Sequence, residues 1–389
     1  MPIAANAPTM RTDRGSPVAL LFATSGHSGV DRVVSNLVVE FGRYPLDFHL
    51  LTIRGHGPHP ARLPDNVRPM RLAAAHRNTV LPSLLFYLLR HRPRALYTAS
   101  HRLNRMALLA RRLVCPRMPV AIRMGMSVSG MLTDLRPRRA RALRASMQRW
   151  YSRAEAVIAP SLGVGTDLID IAGVAPECLH IIPNPIVTAL LREQAAEPTG
   201  DPWLDTEVHE IPVILGAGSL EPRKDFATLI RAFAQLRRHR DTRLVILGEG
   251  PERAPLDQLA RDLGVHEHLR MPGFRANPYA WMARANAFAL TSRREGSGAV
   301  LVEALACGTP AVTTNCPTGP ADILGNGALG PVVPVGDDVA LAHALRELLE
   351  TPAQPSRLQL AVGSFDAARS ARAYLHALGL ASPPERAEN

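Results

Sequence analysis

Residues Ser292–Val312 read SRREGSGAVLVEALACGTPAV. An apolar strand ends near Thr291, a loop holds Glu295, Gly296, Ser297 and Gly298, and the spacing predicts a helix through about Ala306. Gly308 and Pro310 stop that helix and restart a strand. Small residues let a ligand approach the backbone, and the free amides at a helix start form an anion site.

Glu295 and Glu303 stand eight residues apart in this stretch. On one continuous helix they would lie about 12 Å apart along the axis, at about 1.5 Å per residue. A glycosidase acid/base pair sits closer, at roughly 5–9.5 Å. The spacing suits two carboxylates gripping the two ends of an extended ligand, its phosphates at the glycine loop between them. Taken alone, it equally suits a solvent-facing Glu and a helix-capping Glu around a structural loop.

Upstream, GAGSLEPRKDFATLIRAFA, Gly216–Ala234, repeats the strand–loop–helix plan. Gly218 lies in its loop, and Arg223 and Lys224 fall just ahead of a helix from about Phe226 to Arg238. Adjacent cations suit a diphosphate, although a pair of solvated charges gives the same pattern. Val213–Leu215, Leu244–Leu247, Ala287–Leu290 and Pro310–Thr313 read as buried parallel strands of this half. In the first half Val18–Ala23, Phe48–Ile53, Ala95–Thr98, Val120–Ile122 and Ala156–Ala159 alternate with helical stretches. The first of them, from about Val30 to Phe41, follows the loop SGHSG at Ser25–Gly29.

The pattern gives the fold class α/β, with two Rossmann-like domains. A polar tail spans 1–16, one domain 17–190, a linker 191–212 (its Pro-rich part Glu193–Pro212), a second domain 213–362, a crossover helix 363–380 and a tail 381–389. That last helix is expected to pack back on the first domain.

Of the 45 Lys+Arg only Lys224 is Lys, and the formal net charge is +11. Up to Leu190 there are 25 Arg against 10 acids; the remainder has 20 Lys+Arg against 24 acids. A basic first half and a mildly acidic second half imply different partners for each. The isoelectric point near 10.4 is in the range of nucleic-acid binders. No recognition-helix motif, zinc spacing or RNA-binding signature accompanies it, so nucleic acid is not expected. Cys115, Cys178, Cys307 and Cys316 are widely spaced, which argues against a disulfide framework or Cys-based metal site. Met1–Ser16 lacks a signal-peptide core, and no run of about 18 uncharged apolar residues occurs. A soluble, cytoplasmic protein is expected. Arg136, Arg138, Arg139, Arg141, Arg144, Arg149 and Arg153 crowd a helix carrying Leu143, Met147, Trp150 and Tyr151. That suits an anionic surface on the inner face of a membrane, or a core-packed helix with solvated arginines.

Taken together, GSLEPRKDFATLIRAF, LVILGEGPER (Leu244–Arg253), NPYAWMARANAFALTS (Asn277–Ser292), EGSGAVLVEALACGTPAV and CPTGPADIL (Cys316–Leu324) resemble glycosyltransferase family 4 in order and spacing. More loosely, SGHSGVDRVVSNLV resembles the glycine loop and following helix of that family's first domain. The resemblance implies the GT-B fold, its two domains facing across a cleft, in a retaining enzyme. It implies a nucleotide-sugar donor, with a UDP-sugar favoured, and a lipid-diphosphate or saccharide acceptor in cell-surface polysaccharide biosynthesis. Arg223 and Lys224 would neutralise the donor diphosphate. Gly29, Gly218 and the backbone of Gly296–Val300 (Gly296, Ser297, Gly298, Ala299, Val300) would approach the donor. Glu295 would bind the donor sugar, Glu303 the ribose hydroxyls, and Phe274 and Arg275 of Pro272–Arg275 the base. No metal or other cofactor is implied, and no Asp-x-Asp occurs. One departure stands out: where the family carries Arg-x-His-Asn, this chain has Arg123, Met124, Gly125 and Met126. His27 or His101 would then contact the donor sugar, or the chain would be a nucleotide-binding pseudoenzyme. A sugar-nucleotide epimerase on the same fold is disfavoured by the E-x7-E pair together with PRKDF.

Overall fold

The computed structural model describes residues 15–24, 29–58, 62–133, 135–205, 211–295, 297–317 and 319–382. Seven strands, β1 (Val18–Leu21), β2 (Phe48–Ile53), β3 (Val67–Leu72), β4 (Ala95–Ala99), β5 (Val120–Arg123), β6 (Ala156–Ala159) and β7 (Leu179–Ile181), form the first sheet. Around them lie α1 (Gly29–Phe41), α2 (Leu81–His91), α3 (His101–Val114), α4 (Val128–Thr133), α5 (Pro137–Tyr151) and α6 (Leu162–Asp170). After α7 (Ala189–Ala196), the second sheet holds β8 (Val213–Ala217), β9 (Arg243–Leu247), β10 (Leu269–Gly273), β11 (Ala287–Leu290), β12 (Ala311–Thr314) and β13 (Val332–Val333). Its helices are α8 (Phe226–Arg237), α9 (Arg253–Asp262), α10 (Tyr279–Arg284), α11 (Ala299–Ala306), α12 (Pro320–Ile323), α13 (Asp338–Glu350) and α14 (Pro355–Ala361), and α15 (Ala367–Ala377) closes the chain.

Both sheets are parallel, in the orders β3-β2-β1-β4-β5-β6-β7 and β10-β9-β8-β11-β12-β13. Parallel strands need helices on both faces, which is why β1, β4, β5, β6, β8, β11 and β12 are largely apolar and buried throughout. Each sheet accordingly carries two apolar layers, one per face. Strand order reverses between β1 and β4 and again between β8 and β11. Ligands of open α/β sheets bind in the crevice beyond the carboxyl ends at such points.

Four strands that the sequence pattern did not single out, β3, β7, β10 and β13, are the outer strands of the two sheets. An outer strand needs no continuous apolar run and tolerates proline, as Pro69 in β3 and Pro272 in β10 show. The stretch 191–212 also differs from a plain linker. Thr188 caps α7 by accepting from the Leu191 amide at 3.0 Å, Leu191 is buried, and α7 packs on α10. Trp203 lies beneath Arg270, whose guanidinium is 3.8 Å from its ring centre.

The chain passes between domains twice, and the two passages are hydrogen-bonded together. The amides of Ile186 and Val187 donate to Phe365 O, the Ala367 amide to Val187 O, and Ser370 Oγ to Pro183 O. Asp366 caps α15, which then packs against α1 in the first domain, as expected. Arg123 at the end of β5 is 4% exposed and ties this junction. Its Nε donates to Tyr374 Oη of α15 at 3.1 Å and its Nη2 to Asn184 Oδ1 at 2.6 Å. A buried guanidinium met by neutral dipoles depends on every acceptor it has. Asn184→Ala should therefore cost about 1.5–3 kcal/mol. That would appear as a clearly lower melting temperature in calorimetry; an unchanged one would show that the junction does not depend on this contact.

Candidate functional site

At the second sheet's reversal point two loops meet, one after β8 and one after β11. The β8 loop is braced from below by the turn after β9. Gly248 has φ +139°, and a Cβ there would lie 1.8 Å from Gly218 O. Leu220 N donates to Glu249 O and Glu252 N to Leu220 O. Beyond this brace, the turn Pro222–Lys224 ends at Asp225 in left-handed backbone (φ 50°), which starts α8.

That turn is stitched to the β11 loop. Arg293 N donates to Arg223 O at 2.8 Å, Thr291 Oγ1 to Lys224 O at 3.0 Å, and Arg293 Nε to Asp225 Oδ2 at 3.0 Å. Between the loops Lys224 Nζ is ion-paired with Glu295 Oε1, both side chains 9% exposed. Ser292 Oγ donates to the same oxygen at 2.7 Å. Gly298, at φ +58°, precedes α11, and a Cβ there would come within 2.9 Å of Ile323 Cδ1. Ser297, Ala299 and Val300 are half-buried at this helix start. Lys224 and Glu295 thus meet between the two loops, just ahead of the first turn of α11.

Glu303 lies on the buried side of α11, its carboxylate 4% exposed. Because Glu295 precedes α11 rather than lying on it, the straight-helix spacing of about 12 Å does not apply to the pair. Glu303 Oε1 accepts from Arg32 Nη1 at 2.5 Å, so α1 of the first domain reaches across to α11 of the second. Glu303 raises the pKa of Arg32 above its already high value, and burial followed by Glu303 pushes the Tyr279 hydroxyl up. Burial, again with Glu303, pushes the Cys307 thiol up to about 12.

The other expected residues fall as follows. Arg223 turns away from Lys224, donating to Glu221 Oε2 at 2.6 Å and Ser219 Oγ at 3.1 Å. Phe274, 66% exposed, and Arg275, stacked 5.6 Å from the Trp281 ring centre, follow β10. Gly218 lies in the β8 loop and Gly29 begins α1. His27 and Gly296 lie outside the described residues. His101 binds Tyr151, its Nδ1 3.0 Å from the Tyr151 Oη. Burial, then Arg105 and Arg102, push its pKa down to about 4. At Gly125, where the family pattern has His, a Cβ would stand 2.7 Å from Arg123 Nη1. Met124 is core, its Sδ accepting from Tyr151 Oη at 3.0 Å.

A family model described as Glycosyl transferases group 1 matches residues 205–361, and one described as Glycosyltransferase Family 4 matches residues 27–190. The chain belongs to the family 4 glycosyltransferases. Among curated family members, it is 31% identical to the N-acetylgalactosamine-N,N'-diacetylbacillosaminyl-diphospho-undecaprenol 4-alpha-N-acetylgalactosaminyltransferase of Campylobacter jejuni, over 57% of this chain and 59% of that protein. It is 33% identical to the lipopolysaccharide core biosynthesis glycosyltransferase LpsD of Rhizobium meliloti, over 44% of this chain and 49% of that one. The chain spans about half the length of these curated relatives. The fold of the whole described chain matches HepE of Anabaena, solved in complex with UDP, with a TM-score of 0.72 at 19% identity, covering 93% of this chain and 99% of HepE. The chain has the two-domain GT-B fold.

Five residues that shape the site were not read from the sequence: Arg32, Asp225, Ser292, Arg293 and the buried Arg123. Arg32 lies within SGVDRVVSNLV, but nothing local marks it as the partner of a residue 271 positions away.

The low pKa of His101 gives a pH test. Its neutral form is favoured in the fold, so the associated stability is present above pH 6.5 and is lost as pH falls towards 4. Roughly 2–3 kcal/mol is at stake. His101→Gln should lose less melting temperature than the parent chain between pH 7 and pH 4.5; equal losses would contradict the burial assigned to His101.

Proposed function

We propose that this chain transfers a hexosyl or N-acetylhexosaminyl group from a nucleoside diphosphate sugar, a UDP-sugar, to a lipid-linked or saccharide acceptor, with retention, in the building of a cell-surface glycan. The observation that carries the reading is the buried Lys224–Glu295 pair at the reversal point of the second sheet, beside the amides of α11. The complex of HepE with UDP supports the choice of nucleotide. The diphospho-undecaprenol substrate in the name of the Campylobacter relative supports a lipid-linked acceptor.

On this reading Lys224 and the α11 amides stabilise the charge that grows on the departing diphosphate, a preorganised electrostatic contribution. A compact ammonium suits this enclosed position better than a planar guanidinium fork. Arg223, held by Glu221, is close enough in sequence to join the phosphates on a side-chain rotation. Glu295, fixed by Lys224 and Ser292, accepts from a donor-sugar hydroxyl, and Glu303 accepts from the ribose. The exposed Phe274 and the backbone beside it meet the base. The neutralisation uses side chains and amides, without a metal. A second reading, a nucleotide-binding pseudoenzyme, is favoured by one observation: Gly125 stands where the family pattern has His. Sugar transfer to any acceptor, or release of sugar from the donor, excludes it.

We also place the first domain against an anionic membrane surface on the cytoplasmic side. Met147 and Tyr151 of α5 are buried and Leu143 and Trp150 pack on the same core, so the helix offers arginines rather than an apolar wedge. Met106, Leu109 and Trp150 line a groove of about 500 Å³ between α3 and α5, with Arg105 and Arg149 on it. No helix among the described residues is long and apolar enough to cross a membrane.

Two outcomes follow. UDP at a hundred times its dissociation constant should stabilise the chain by about 2.7 kcal/mol, and Lys224→Ala should lose most of that shift. In a thermal-shift screen against UDP, GDP, ADP, CDP and TDP, the absence of any shift would remove the nucleotide assignment. In flotation with anionic liposomes the chain should rise with the vesicles and fall away at high salt, with Arg138→Gln/Arg141→Gln/Arg144→Gln floating less. Binding indifferent to salt and to these changes would remove the membrane assignment.

A further inference from the structure

We infer that Arg32 is a specificity-determining residue of the donor site: reaching across from the first domain, it fixes the carboxylate of Glu303 that reads the ribose hydroxyls. The inference rests on the reading of Glu303 given above.

Arg32 stands in the first turn of α1, at the carboxyl end of β1, which is the crevice side of the first sheet. Its side chain is 38% exposed, whereas the Glu303 carboxylate it meets is 4% exposed. An ionised carboxylate with so little water depends on its counter-charge, and losing that partner leaves the charge uncompensated. The guanidinium is fixed from a second direction, lying 5.4 Å from the ring centre of Tyr279 at the head of α10. Tyr279 is buried, and its carbonyl accepts from Cys307 Sγ, one turn beyond Glu303 on α11. Glu303 is thus enclosed by Tyr279 and Cys307 and oriented by Arg32.

Orientation matters because of what a ribose offers. Two vicinal hydroxyls must donate to the carboxylate at once, so its plane decides whether both are read. Arg32 engages Oε1 while a carboxylate oxygen has lone pairs for more than one donor. With Arg32 in place the carboxylate is held in one rotamer, and a nucleotide lacking one hydroxyl leaves an enclosed acceptor short of a partner. Without Arg32, the carboxylate is free to turn, and the missing hydroxyl costs little. Because Arg32 comes from the other domain, ribose reading and closure of the cleft become one event.

The test is calorimetric titration of the full chain, its Arg32→Ala variant and its Arg32→Lys variant with UDP and with 2′-deoxy-UDP. The parent chain should favour UDP by about tenfold, the scale of a hydrogen bond to a charged group. In Arg32→Ala the preference should shrink to about twofold or less, and Arg32→Lys should restore most of it; a merely structural role would weaken both nucleotides alike. A preference that persists undiminished in Arg32→Ala overturns the inference and leaves the ribose reading intact. A parent chain that binds both nucleotides equally removes the ribose reading and this inference with it.

Discussion

The Lys224–Glu295 pair is the contact on which the site depends. Two charged side chains, each 9% exposed, are held together where two loops converge. Buried ion pairs contribute little to stability once desolvation is set against attraction, so this one is poorly explained as a structural brace. The loops around it are already secured by neutral contacts, from Thr291 to the Lys224 carbonyl and from the Arg293 amide to the Arg223 carbonyl. On the proposed reading, what the pair adds is a cation and an acceptor already stripped of water, just ahead of the first turn of α11, for an incoming diphosphate sugar. The protein would meet the cost of desolvation on folding rather than at the moment of reaction.

The Lys224–Glu295 pair sits in one domain and Arg32, which meets Glu303, in the other, so the junction between them is a second constraint. Two backbone passages, near Ile186 and near Phe365, are laced into one strip. Arg123 binds that strip to the first sheet through Asn184 and Tyr374.

Much of this was legible in the sequence because central parallel strands must be apolar along their whole length. VALL, AVIA, AFAL and their neighbours announce themselves, and the glycine loops that follow them mark the crevice. The outer strands β3, β7, β10 and β13 are half-relieved of that requirement, and their charges and prolines hid them. Leu191 and Trp203 show why 191–212 read as a linker: a segment that covers a core with two side chains leaves little periodic trace. At the site, the residue types at 223, 224, 295 and 303 were readable, but their partners were not. Arg223 turns to Glu221, Lys224 to Glu295, and Glu303 to a residue in the other domain. Pairings across such separations are set by the closed fold and leave no local pattern. The apolar residues of α5 show the same limit, since the sequence does not say that Met147 and Tyr151 pack inward and leave the arginines to the surface.

The most direct measurement is the affinity of the full chain for uridine, UMP and UDP by calorimetry. If Lys224 and the α11 amides form a diphosphate seat, affinity should climb with each phosphate, and UDP should bind at least about a hundredfold more tightly than uridine, on the scale of two charge-assisted contacts. Equal affinities for the three, or binding of none, would contradict the placement of the donor at the Lys224–Glu295 pair.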